Sequence, residues 1–440
     1  MKMGKELLMS RLLKEVKCSF EKIASPVERR EKSISLSDCL LSGLAIFSLK
    51  YASLLQFDKD KRIPSKEYNL KKLYGIKVIP SDTYLRERLD ELLASTLRNT
   101  FNVLLRWAQR GKVLEKFVYY NGHYLIAMDG TGYFSSHKIH CEQCCEKHHR
   151  NGEVTYHHQM LGMAIVHPAH HHVLPLAPEP IIKQDGARKN DCERNAAKRL
   201  LRQFRQEPPK MRVIITEDGL ASNGPHIKLL NSLKMSYILG AKPKDHTYLF
   251  DWIEKSSTAQ SYERQDENGV THKYRYINQI PLNDSHFDLP VNFLIYQEIN
   301  PKGPKGKRTV KNFSWVTDIP LSEETLEIVM RGGRARWKIE NETFNTLKNQ
   351  GFHFEHNFGH GKQHLASVFA HLMLLAFFID QLQGLRCKVF QQAVKKRERP
   401  LYFWAQFRAL FFTFRISTWT SFYQAIISPP ELELPIIDTS

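Results

Sequence analysis

Acidic side chains are in short supply in this chain. Its 440 residues carry 46 Asp and Glu against 64 Lys and Arg, a formal charge of +18. Such an excess suggests a polyanionic partner, nucleic acid first and a membrane surface second. Cysteine is sparse as well: there are seven, an odd number, and only Cys141, Cys144 and Cys145 cluster. That usage speaks against a disulfide framework and suits a reducing cytoplasm. Low-complexity tracts are missing, so disorder is not the organising principle. Long hydrophobic runs are missing too. The most apolar window, Leu365 to Ile379, contains His371 and is too short to cross a bilayer comfortably, which makes it a buried helix and leaves no membrane role. The first six residues lead into an amphipathic stretch, so no secretory leader is expected.

A chain of this length can bury a sizeable core and hold two or three domains. Residues 1–115 read as helical and basic; residues 1–120 hold 24 Lys and Arg against 14 Asp and Glu. Pro80-Ser81-Asp82 starts one helix, with Leu85, Leu89 and Leu92 turned inward, and another runs through Phe101, Leu104 and Trp107 to Gly111. This region is either a DNA-reading element or a scaffold bundle with solubilising lysines.

Near residue 117 the period changes. Tyr124-Leu125-Ile126-Ala127-Met128 is a short apolar run that stops at Asp129-Gly130-Thr131, a buried strand with a carboxylate at its end. Runs at 160–166 and 172–176 suggest an antiparallel meander. A helix from about 191 to 206 precedes a second buried strand, Val213 to Thr216, closed by Glu217-Asp218-Gly219. Residues 116–241 thus read as the first part of an α/β core. From 242 to 320 polar and aromatic residues alternate and turns are frequent, a β-rich insertion that includes the basic loop 301–308. Residues 321–385 return to the core, with Gly332-Gly333 as an interruption before its helix, and 386–440 mix basic and aromatic residues.

That late helix begins Arg336-Trp337-Lys338-Ile339-Glu340 and continues through Glu342 and Phe344 to Lys348. At about 100° per residue, Arg336 and Glu340 lie about 40° apart and Lys348 returns about 80° from Glu340. Each feature has a plain reading: tight turns at the two Asp-Gly pairs, ordinary i,i+4 charge pairs on the helix. Together they match another construction, in which carboxylates from separate elements converge on hard cations for two-metal phosphoryl transfer.

Arg336-Trp337-Lys338-Ile339-Glu340 with Lys348 resembles the Tyr-Arg-Glu-Lys signature of bacterial insertion-sequence DDE transposases. The order is similar as well: Asp-Gly-Thr after a strand, Asp after a second strand, a β insertion, then the glutamate helix. The resemblance spans roughly residues 120–380. It implies an RNase H-like catalytic core of retroviral-integrase type, with Asp129, Asp218 and Glu340 as catalytic metal ligands for two Mg²⁺, or Mn²⁺. It further implies cleavage at transposon-end inverted repeats and strand transfer into target DNA, by a homodimer on DNA in the bacterial cytoplasm at the nucleoid. Arg336 and Lys348 would contact phosphates near the scissile bond. Trp337 would stack on an unpaired base or simply pack in the core. Two departures stand out: Gly333 occupies the signature tyrosine position, and Glu340 to Lys348 is one residue longer than usual, which leaves Glu342 as a rival to Glu340.

His140-Cys141-Glu142-Gln143-Cys144-Cys145, followed by His148, His149, His157 and His158, carries the ligand types and Cys-x-x-Cys spacing of a zinc site. Cys141, Cys144, His148 and His149 are the candidate Zn²⁺ ligands, against a polar hairpin with reduced thiols. Rival readings of the whole are a metal-dependent nuclease of the same fold without strand transfer, a non-catalytic DNA-binding relic, and a zinc-dependent hydrolase.

Overall fold

The computed structural model describes residues 7–27, 33–183, 191–207, 210–302 and 306–429. The leader reading on residues 1–6 and the middle of the basic loop, 303–305, lie outside them. The chain divides into two compact units, a helical unit of residues 1–113, 138–143 and 346–440 and a sheet unit of residues 114–137 and 144–345.

In the helical unit, amino-terminal helices α1 (Met9–Phe20), α2 (Leu36–Ser48), α3 (Leu54–Asp60), α4 (Pro64–Tyr74), α5 (Asp82–Asp90) and α6 (Arg98–Arg110) join carboxyl-terminal ones. The latter are numbered below after the helices of the sheet unit. The element at the centre is the apolar helix Leu365–Arg386, 22 residues long and packed by α2, α5 and α6. It is long and apolar enough to span a bilayer, but 83% of its apolar window is buried inside the protein. A helix apolar on every side needs such a jacket. Ser35 caps α2 by accepting the Asp38 amide at 3.0 Å, and the Asp38 carboxylate in turn accepts the amides of Lys77 and Val78. Buried Lys50 pairs with Asp380 at 2.7 Å, its ammonium 3.3 Å from the Phe352 ring centre and 4.1 Å from that of Trp404. The aromatic residues of the tail form core: Phe403, Phe407, Phe411, Trp419 and Phe422 are buried, with the Phe407 ring stacked on those of Phe411 and Trp419 and edge-to-face with that of Phe422.

The sheet unit holds one sheet. Its strands are β1 (Val118–Tyr120), β2 (His123–Ser136), β3 (Cys145–His148), β4 (Val154–Val166), β5 (Leu174–Pro175) and β6 (Glu179–Ile181), then β7 (Val213–Glu217) and β8 (Ser236–Gly240). The remainder are β9 (Gln260–Gln265), β10 (Thr271–Pro281), β11 (Pro290–Asn300) and β12 (Thr309–Thr317). The order is β3-β4-β2-β7-β8-β12-β11-β10-β9, with β5 and β6 also on β4 and β1 on β2. The β2–β4 pair is antiparallel as the meander predicts, while β7 joins β2, and β8 joins β7, in parallel. Residues 242–320 extend this sheet rather than standing apart, because β12 pairs with β8. Helices α7 (Glu193–Gln206), α8 (Gly224–Ser232), α9 (Thr247–Lys255) and α10 (Glu323–Arg334) belong to this unit. The remaining helices are α11 (Asn345–Asn349), α12 (Leu365–Arg386, the central helix), α13 (Lys388–Lys396), α14 (Pro400–Thr413) and α15 (Trp419–Ile427).

Gly332 and Gly333 do not interrupt the chain; they lie within α10 and are buried. A Cβ on Gly333 would come 2.2 Å from Nε1 of Trp315, and one on Gly332 would come 2.7 Å from Cδ1 of Ile238. Glycine lets α10 lie close on β8 and β12, at a propensity cost of about 1 kcal/mol each. A side chain at Gly333, tyrosine included, would collide with the Trp315 indole as it stands here.

Candidate active site

Asp129 is in β2, and Asp218 follows the last residue of β7. These strands are neighbours and run in parallel, with Ala127 paired to Thr216. Extending that register by two residues sets Asp129 beside Asp218, at the roughly 5 Å interval between adjacent strands. Apolar runs bury both strands, and the ends of parallel strands are where an open sheet offers ligands. Backbone groups hold both acids: the Gly130 amide donates to Asp129 Oδ1 at 3.0 Å, and the Leu220 amide to Asp218 Oδ1 at 2.9 Å.

Both aspartates line one cavity of about 150 Å³, together with Glu193, Glu217, Lys198 and His226. Burial raises the Asp129 pKa, and the charge of Asp218 adds to the rise against the opposing pull of Arg336. The Glu193 carboxyl is likewise raised, first by burial and then by Asp129, Asp218 and Glu217. Acids that repel one another in this way lower their energy by sharing a cation. Their oxygens are the donors that magnesium and manganese prefer, so the residues present fit a divalent metal. Glu217 is tied instead to His226, Oε1 to Nε2 at 2.8 Å. Burial opposes a charged His226 ring, but the charge and hydrogen bond of Glu217 outweigh it and the ring pKa is raised.

Arg336 donates from Nη1 to Asp129 Oδ2 at 2.5 Å. It stands just after α10, and the ribbon that follows is not a uniform α-helix: Ile339–Phe344 form a π-helix, and α11 continues from there. A π turn takes up one extra residue. The π turn falls within the Glu340-to-Lys348 spacing, so the 80° offset expected from uniform α-helical phase does not apply. Ile339 and Phe344 are buried against β2 and β4, whereas Glu340 is exposed. Glu342 is half-buried, 3.8 Å from His171. Neither glutamate lines the cavity of Asp129 and Asp218. Trp337 is 56% exposed, which removes the core-packing reading. Lys348, in the helical unit, pairs with Glu355 at 2.8 Å.

The cysteine–histidine stretch is rearranged. His148 is exposed and pairs with Glu146, and His149 Nε2 bonds Thr155 Oγ1 at 2.7 Å. The histidine beside Cys144 is His158 of β4, fully buried, with Nε2 3.4 Å from Sγ. Cys141, in the helical unit, is buried. The alternation of β4 carries the signal for this: His158 shares a face with buried Met160, and His157 does not.

Residues 121–379 match a family model described as a transposase DDE domain. That is more than half of the chain. The chain belongs to this family. No curated protein matches it. The family bears out the insertion-sequence DDE transposase resemblance, makes DNA its substrate and gives it transposition-related cleavage or transfer chemistry that uses divalent metal. Sequence reasoning found Asp129 and Asp218 but missed Glu193, Glu217 and His226 as their cavity neighbours.

Proposed function

We propose that this DDE transposase cuts DNA at the inverted-repeat ends of its own transposon and transfers the freed 3′-hydroxyl into target DNA. The core is RNase H-like in this reading, with antiparallel β2 and β4 followed by parallel β7 and β8 in support. Asp129 and Asp218 would hold Mg²⁺ or Mn²⁺, and Glu340, which lies outside their cavity in this structure, would complete the triad that the signature implies. Such ions, when bound, lower the pKa of the attacking water or hydroxyl and neutralise charge on the leaving oxygen. The observation that carries the reading is the meeting of Asp129 and Asp218 in one cavity beside Arg336.

The chain's own residues then have defined tasks. Arg336 holds the Asp129 carboxylate in place, and its guanidinium would stand next to the scissile phosphate. Exposed Trp337 offers an indole face on which an unpaired base can stack. Lys198 and Arg194, at the same cavity, offset the acidic field that would repel the phosphate backbone. A homodimer on paired ends and a bacterial cytoplasmic setting complete the proposal; Zn²⁺ at the cysteine–histidine stretch would be structural.

The test is incubation of the protein with DNA carrying the element's inverted-repeat ends, a target plasmid and Mg²⁺. Nicks at the repeat boundaries, followed by end–target joints, are expected, and Asp129→Asn must abolish both. Cleavage without joints would leave a nuclease of the same family. Boundary nicks that survive Asp129→Asn would overturn the site.

A further inference from the structure

We infer that Glu193, the first residue of α7, is an additional carboxylate ligand to the divalent metal site formed by Asp129 and Asp218. The inference rests on the metal-dependent reading above and deepens it.

Glu193 is exposed as a residue, but its carboxyl end reaches down onto the sheet. A Cβ on Gly130 would lie 2.1 Å from its Oε1 and 2.5 Å from its Cδ. The carboxylate therefore rests on the backbone of the residue next to Asp129, in space that only glycine leaves open. It lines the same cavity as Asp129 and Asp218. The charges of both aspartates reach it. Among the described residues it makes no hydrogen bond or ion pair, unlike Glu217 with His226 and Asp129 with Arg336. A carboxylate without a partner, held against two others, is costly unless a cation joins them. Glu340 and Glu342 are outside the cavity lining, so Glu193 is the third acid that faces Asp129 and Asp218 without a partner of its own.

The plain alternative is that Glu193 only favours the positive end of the α7 dipole. The two roles separate by a binding measurement that needs no DNA. Metal-free full-length protein is titrated with Mn²⁺, free ion being followed by electron paramagnetic resonance, with circular dichroism confirming the fold. Glu193→Gln is isosteric and is expected to weaken Mn²⁺ binding on the order of tenfold or more, the scale of losing a group around a metal. Glu193→Ala must do the same, which guards against a variant that merely misfolds. If Glu193→Gln and Glu193→Ala bind Mn²⁺ as tightly as wild type while Asp129→Asn and Asp218→Asn do not, the role assigned to Glu193 is wrong. If the aspartate variants bind normally, the metal site itself is wrong.

Discussion

Replacing Gly162 by alanine probes how the helix after Arg336 is seated on the catalytic strand. Gly162 is paired with Asp129 across the β2–β4 ladder. Its missing side chain is what admits the Phe344 ring: a Cβ there would sit 2.7 Å from Cζ and 2.9 Å from Cε1, with Ile339 Cδ1 at 3.5 Å. Carbon atoms pack at about 3.5–4.0 Å, so the ring must retreat by roughly 1 Å. Phe344 is 4% exposed and closes the π-helix that carries Glu340. It has nowhere to go without moving that turn. Overpacking of this kind costs about 1–3 kcal/mol. For a unit of this size that is about 2–4 °C of melting temperature per kcal/mol. The larger effect is on chemistry, because about 1 Å of misplacement costs roughly 100-fold in rate. Thermal melts and end-cleavage rates in Mg²⁺ measure the two effects separately. Glycine at 162 would be incidental if the variant melted and cleaved like wild type. Shortening the ring in Gly162→Ala/Phe344→Leu must restore part of the cleavage, since the displaced ring is the proposed cause.

Three other perturbations follow from contacts already described. His226 has its pKa raised by Glu217, so the pair stabilises the fold fully below the ordinary histidine value of about 6.5 and loses that contribution as pH rises through the higher folded value. His226→Gln is therefore expected to cost about 1.5–3 kcal/mol below the ordinary histidine value and progressively less as pH rises through the higher folded value, checked by denaturant melts across that range; a pH-independent loss would contradict the charge pairing. In the helical unit, Asp380→Asn strands the buried Lys50 ammonium, whose pKa burial has already brought down to about 8. A loss of about 3–5 kcal/mol is expected, with Lys50→Met/Asp380→Leu recovering most of it, and the double variant melting no higher than the single would refute the pairing. Trp337→Ala removes an exposed indole, so the melting temperature should hold while binding to frayed transposon ends weakens by about 1–3 kcal/mol in a gel-shift titration.

The strand ends were the legible part of the site. An apolar run too short for a helix, closed by Asp-Gly, has few readings, and two of them in one chain lie side by side once a parallel pair forms. Glu193 was not legible for a physical reason: an acid in the first turn of a helix is ordinary, and only the three-dimensional approach to Gly130 distinguishes it. His158 was visible among the histidines after the cysteines, but that it rather than His148 or His149 meets Cys144 follows from strand pairing and not from sequence spacing. The β-rich stretch 242–320 was legible as strands but not as a continuation of the central sheet, because the pairing of β12 with β8 joins residues about eighty apart. The basic, helical amino-terminal region was legible as helices; its core partner Leu365–Arg386 lies some three hundred residues later.

The two departures from the family signature have one origin in packing. At the first, tyrosine is excluded because α10 lies so close to the sheet that Trp315 touches the helix backbone at Gly333. At the second, the extra residue between Glu340 and Lys348 is absorbed by the π turn, which keeps Ile339 and Phe344 both on the sheet and leaves Glu340 at the surface. A uniform α-helix could not hold residues 339 and 344 on the same face, since five residues turn it through about 500°, some 140° out of phase. The π turn closes that gap, so the buried pair, rather than the charged one, sets the local geometry. Deleting Asn341 leaves these two residues four apart, about 40° out of phase on a uniform α-helix, so the turn should become α-helical with both side chains still on the sheet, the melting temperature should hold and the loss should be confined to end cleavage; a clear fall in melting temperature would refute the claim that the buried pair sets the local geometry.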